Sequence, residues 1–135
     1  MGLFYDGNTI DLTLRGWVDA TLASCKDTGH SVGAYFFNLG SAAISHKSKF
    51  MTQVHPSSTE SEPAALYMAT SEAVWLRKLL SHLGHHQSGA TVLFEDNQGA
   101  IKYANSGDRA GRMKHIDVKF FFTCEQIMNG NITVI

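Results

Sequence analysis

The chain has 135 residues, of which 44% are hydrophobic and 17% charged, and its formal net charge is −1. This composition excludes a disordered chain, and the length suits one domain, which hides roughly two thirds of its unfolded surface at such a size. No run of eighteen apolar residues occurs, so no membrane helix is expected, and a near-neutral charge leaves nucleic-acid binding to a local basic patch.

In chain order, Thr13 to Ala20 is a moderately apolar strand. Ser31 to Leu39 and Ala42 to Lys49 read as a hairpin across the short turn Gly40-Ser41. A long helix is predicted from about Thr59 to Leu83, because Leu66, Ala69, Ala73, Leu76, Leu80 and Leu83 alternate at spacings of three and four, with Gly84 as the stop. Ala90 to Asp96 is a near-continuous apolar run ending in acids, as in a strand buried on both faces. Asn97 to Asn105 reads as a second helix, ended by Gly107. His115 to Asn129 reads as a third, with Ile116, Phe120 and Ile127 on one side and Gly130 as the stop. Asn131 to Ile135 is a fifth strand. The order βββαβααβ predicts an α/β fold: a mixed five-stranded sheet with helices on its faces.

Neither an internal repeat nor a linker divides the chain, so residues 1–135 are read as a single domain. The start, Met1 to Ile10, has no basic n-region, so a signal peptide is not expected. The two cysteines, Cys25 and Cys124, stand far apart. The expectation is a reducing intracellular compartment, cytoplasmic or nuclear rather than secreted.

Three carboxylates suggest chemistry. Asp19 and Asp96 end two predicted strands, and sites in open α/β sheets lie beyond the carboxyl ends of strands. On neighbouring strands their like charges would need a proton or a bridging cation, and a separation within about 6 Å is expected. Each could also be an ordinary turn or cap residue. Glu62 lies four residues before Leu66 on the core-facing stripe, where a charge is costly without a partner, although Thr59-x-x-Glu62 also reads as a capping box. Together the three suit a Mg²⁺ cage of hard oxygens, and two ions about 4 Å apart can activate water and stabilise the leaving oxygen of a phosphodiester.

Five runs occur in order: Gly16-Trp17-Val18-Asp19-Ala20, Pro56-Ser57-Ser58-Thr59-Glu60-Ser61-Glu62, Trp75-Leu76-Arg77-Lys78-Leu79-Leu80, Asp96-Asn97-Gln98-Gly99-Ala100-Ile101 and Lys114-His115-Ile116-Asp117-Val118-Lys119. This set resembles the ribonuclease H domain of copia-type LTR-retrotransposon Pol polyproteins over nearly the whole chain. Residues 1–10 look like the tail of the connection that follows reverse transcriptase in those polyproteins. The resemblance implies a ribonuclease H-like fold and endonucleolytic, metal-dependent cutting of RNA in an RNA–DNA hybrid. It implies Asp19, Glu62 and Asp96 as catalytic metal ligands for two Mg²⁺ ions, with Mn²⁺ as an alternative. Partners would be the hybrid and the reverse transcriptase and integrase portions of a larger polyprotein, with neither a membrane nor a small-molecule cofactor.

The sequence departs from that family in three places. Thr21 and Leu22 stand where a second Asp and a Trp are usual. Pro63 follows Glu62, which predicts that helical geometry begins at or after Glu60, so that the proline falls in the first turn. Ile135 ends the chain before a last helix with a fourth acid, so the expectation is a truncated, weakened copy. The rival is a non-catalytic nucleic-acid-binding or relict fragment, and a third reading is another nuclease of the same fold.

Asn97 and Gln98, beside Asp96, join Arg112, Lys114 and His115 as candidate nucleic-acid contacts. Arg109 and Lys119 extend that basic stretch, and Lys47 and Lys49 form a second patch that equally suits an edge strand. His82, His85 and His86 lack the ligand set of a zinc site. No constellation of His and acid accompanies either cysteine as a nucleophile, and no phosphate-binding glycine loop occurs.

Overall fold

The computed structural model describes residues 2–7, 11–21, 32–50, 58–106 and 117–135. Its elements are β1 (Leu14–Thr21), β2 (Val32–Leu39), β3 (Ala42–Phe50), α1 (Ser58–His82), β4 (Thr91–Glu95), α2 (Gln98–Ser106), α3 (Asp117–Met128) and β5 (Ile132–Val134). The order is the predicted one. The strands form one mixed sheet, β3-β2-β1-β4-β5, with β1–β2 and β2–β3 antiparallel and β1–β4 and β4–β5 parallel.

Alternation along the strands divides the sheet into two faces. Leu14, Val18, Tyr35, Phe37, Leu93, Ile132 and Val134 join Ala65, Leu66, Ala69, Ala73, Leu76 and Leu80 of α1 in one core cluster. The described helices gather over this face, with α1 across β1 and β2 and α2 and α3 towards β4 and β5. Gly16 lets three strands approach under α1: a Cβ there would lie 2.6 Å from the Phe37 ring and 2.7 Å from Leu93 Cδ2. Gly84 and Gly130 close α1 and α3 with φ of 86° and 76°, the left-handed stop expected of them.

Three expectations need correction. Helix α1 begins at Ser58, before Glu60, so Pro63 lies in its second turn rather than its first. A proline there removes the bond to the Thr59 carbonyl, and burial of Ala65, Leu66 and the residues beyond outweighs that loss. β4 is buried on alternate residues only, because no described element covers its other face. Leu83 is 64% exposed rather than part of the core stripe. A spacing averaging 3.5 drifts by about 20° per heptad around a helix of 3.6, which carries Leu83 off the sheet.

The segment between α1 and β4 is tied down by two side chains. Arg77 donates to the carbonyl of Gly89 at 2.7 Å, to Thr91 Oγ1 at 2.9 Å and to the carbonyl of Gln87 at 3.2 Å. The Gln87 amide accepts from the Leu14 amide at 3.0 Å and donates to the Leu12 carbonyl at 2.8 Å. The C-terminal part of α1 is therefore held at the end of the sheet where β1 and β4 begin. No helix among the described residues is long and apolar enough to cross a membrane.

Candidate active site

Parallel pairing of β1 with β4 ends at Val18 and Glu95, so the next residue on each strand is Asp19 or Asp96. The two acids stand at adjoining carboxyl ends of neighbouring strands. Both are exposed, and both line one depression of about 440 Å³ with Trp17, Phe36, Phe94 and Ile135. This is the juxtaposition expected from the sequence.

Glu62 comes to the same end by helix direction. Arg77 sits over the start of β4, and the 15 residues back to Glu62 span about 22 Å at 1.5 Å each. That carries the first turns of α1 past the length of β1 to the carboxylate end. The Glu62 side chain lies outside the described residues, as do Arg112, Lys114 and His115. Among the described residues no three His, Cys, Asp or Glu side chains cluster closely enough to hold an ion. Two exposed carboxylates at one sheet end, with Glu62 as the third donor, fit a hard divalent cation that keeps part of its water.

Asn97 turns its side chain to its own helix. Its Oδ1 accepts the amides of Gly99 at 2.8 Å and Ala100 at 3.1 Å, which makes it the N-cap of α2. Gln98 is exposed at the first helical position. Lys119 places its Nζ 5.6 Å from the centre of the Tyr67 ring, a cation–π contact on the helix side of the sheet.

Sequence reasoning overlooked Glu95. It is 5% exposed and points to the helix-covered face, where its Oε1 accepts the Asn97 amide at 3.1 Å. That bond fixes the turn carrying Asp96. The signal was parity: Glu95 lies two residues after Leu93, so it shares Leu93's face once the strand is covered on one side only. Also overlooked was an aromatic row across three strands of the open face. Trp17 stacks on Phe36 with centroids 4.8 Å apart and on Phe94 at 5.2 Å. The row walls the depression beside Asp19 and Asp96.

No family model matches the chain. It is 34% identical over 125 residues, 93% of its length, to the retrovirus-related Pol polyprotein from transposon TNT 1-94 of Nicotiana tabacum. It is 35% identical over 129 residues, 96% of its length, to the retrovirus-related Pol polyprotein from transposon RE1 of Arabidopsis thaliana. The chain spans 9% of the length of each. In three dimensions it is similar to RNase H1 from the halophilic archaeon Halobacterium salinarum, with a TM-score of 0.58 and 13% identity, covering 90% of this chain and 82% of that one. At that identity the likeness shows the fold, a ribonuclease H fold.

Proposed function

From the premise that this chain belongs with the retrovirus-related Pol polyproteins of transposons, as one segment of their length, and has a ribonuclease H fold, we propose that it hydrolyses the RNA strand of an RNA–DNA hybrid. The observation that carries the reading is the pair Asp19 and Asp96 at adjoining strand ends, lining one depression. Asp19, Asp96 and Glu62 would hold the divalent ions, with Mg²⁺ the best fit to an all-carboxylate set. When bound, such ions supply an activated water and stabilise the leaving oxygen of a phosphodiester. The chain's own part is positional. Glu95 fixes the turn that presents Asp96, and Asn97 caps the helix behind it. Arg112, Lys114 and His115, with Gln98, would neutralise phosphates along the hybrid, whose backbone shape and 2′-hydroxyls are read rather than its bases. In the longer polyproteins the activity would serve beside the reverse transcriptase and integrase portions.

The test is cleavage of a labelled RNA–DNA hybrid with and without Mg²⁺, using Asp96→Asn as control. Asparagine keeps the shape and removes the charge, so at least a ~100-fold loss is expected, beyond the 10–100-fold that outer-shell partners of a metal carry. Binding of the hybrid without cleavage, equal for wild type and Asp96→Asn, would replace the nuclease with a binding module.

A further inference from the structure

Helix α1 carries a second apolar stripe that no described residue covers. Trp75, Leu79 and Leu83 recur every four residues and are 57%, 39% and 64% exposed. The Leu83 amide still donates to the Leu79 carbonyl at 3.0 Å, so the three side chains stack along one flank of a continuous ladder. Isolated apolar residues are ordinary on a surface, but three in helical register form a patch.

The rim of this flank is cationic. Lys78, His82 and His86 are exposed beside the stripe. On the other side, Ser45 Oγ of β3 donates to Glu72 Oε1 at 2.8 Å, which seats that face of β3 along the flank. Lys47 and Lys49, two and four residues on, share the face of Ser45 and are exposed. Glu72, half-buried in that bond, is the one carboxylate among the α1 side chains described from Ala64 onward.

We propose that this flank is a docking surface for an acidic amphipathic helix. Such a helix would lay an apolar ridge against Trp75, Leu79 and Leu83 and face Lys78 and Lys47 with flanking Glu or Asp. Ridge-on-ridge packing suits two helices, and the unbalanced positive rim selects the acidic one. The patch is small. Three such side chains offer a few hundred Å², whereas a stable complex buries about 800 Å² on each partner. A freely diffusing second copy is therefore poorly served. A helix on the same polypeptide gains millimolar effective concentration from its linkage. The chain spans 9% of the polyproteins it matches, so linked partners exist in those relatives. The proposal uses that relationship for the linkage and does not depend on the nuclease reading.

The probe is a synthetic twenty-residue helical peptide with a leucine ridge and glutamate flanks, titrated into the 135-residue chain and followed by amide chemical shifts. A matched peptide with lysine flanks serves as the control. The expected result is shifts centred on residues 71–83, with the lysine peptide at least tenfold weaker. Leu79→Glu should abolish those shifts while leaving hybrid cleavage and the thermal midpoint unchanged. Lys78→Glu should narrow the preference for the acidic peptide. Equal binding of both peptides, shifts centred instead on Trp17, Phe36 and Phe94, or no shifts at millimolar peptide would each overturn the proposal. So would shifts at the stripe that appear with vesicles of anionic phospholipid but not with the acidic peptide.

Discussion

The two faces of the sheet are made by alternate residues of the same strands, yet they have different work. On the covered face, Leu14, Phe37, Leu93 and Ile132 are at most 1% exposed beneath the helices. On the open face, Trp17 and Phe94 are half-buried, and Phe36 and Ile135 are 37% and 54% exposed. Asp19 and Asp96 sit on this wetter side of the strand ends, where ionised carboxylates keep their water and can take up a cation. Their neighbour Glu95, one residue away on the other face, is buried and spends an oxygen on the backbone. One residue of register therefore separates a carboxylate that can serve chemistry from one that serves the fold.

Substitutions separate the two faces, and the largest effect should come from the covered one. Phe37→Ala should cost about 3–5 kcal/mol, seen as a lower urea midpoint, because the cavity lies where three strands and α1 meet. A cost under about 1 kcal/mol would mean the covered face is not the stabilising one. Next is Asp19→Asn on the open side. Hybrid cleavage should fall at least ~100-fold, with a thermal midpoint equal to or above that of wild type, since one of two like charges is removed. A variant that unfolds instead would make Asp19 a structural residue.

Gly16→Val is third. A side chain forced between Phe37 and Leu93 should cost about 1–3 kcal/mol by overpacking, again read from the urea midpoint. Phe36→Ala on the open face should cost only about 1 kcal/mol, the scale of one aromatic stack, and equal losses for Phe36→Ala and Phe37→Ala would erase the contrast between faces.

The smallest effect belongs to Tyr35. Burial, then the charge of Glu72 and a hydrogen bond to it, push its phenol above the ordinary tyrosine value. The folded chain keeps that proton where the unfolded chain has begun to release it. The contribution is whole below about pH 10 and is lost as pH rises beyond it. Stability should thus fall less steeply above pH 10 in Tyr35→Phe than in wild type. Identical alkaline slopes in denaturant melts would show that Tyr35 is not protected in the folded state.

Much of this was legible in the residues. The apolar recurrence from Leu66 to Leu80 marks the packed face of α1, and Gly84 and Gly130 mark helix ends, because helical periodicity and left-handed stops are local properties. The hairpin of β2 and β3 follows from the short turn at Gly40-Ser41. The start of α1 was misplaced because the local cost of Pro63 was weighed without the burial that lies beyond it. Leu83 was assigned to the core because six positions fit a heptad-like spacing that a straight helix does not keep.

By itself the sequence determined the order of the elements, the identity of the three acids and the face of α1 that packs. Tertiary structure decided that β1 and β4 lie side by side and parallel, which turns Asp19 and Asp96, 77 residues apart, into neighbours. It also decided that β4 is covered on one side only, so that Glu95 is buried and Asp96 is wet. The reason is physical. Propensity and periodicity act over a few residues, whereas strand neighbours and coverage are set by which distant surfaces bury each other, and no single segment carries that information.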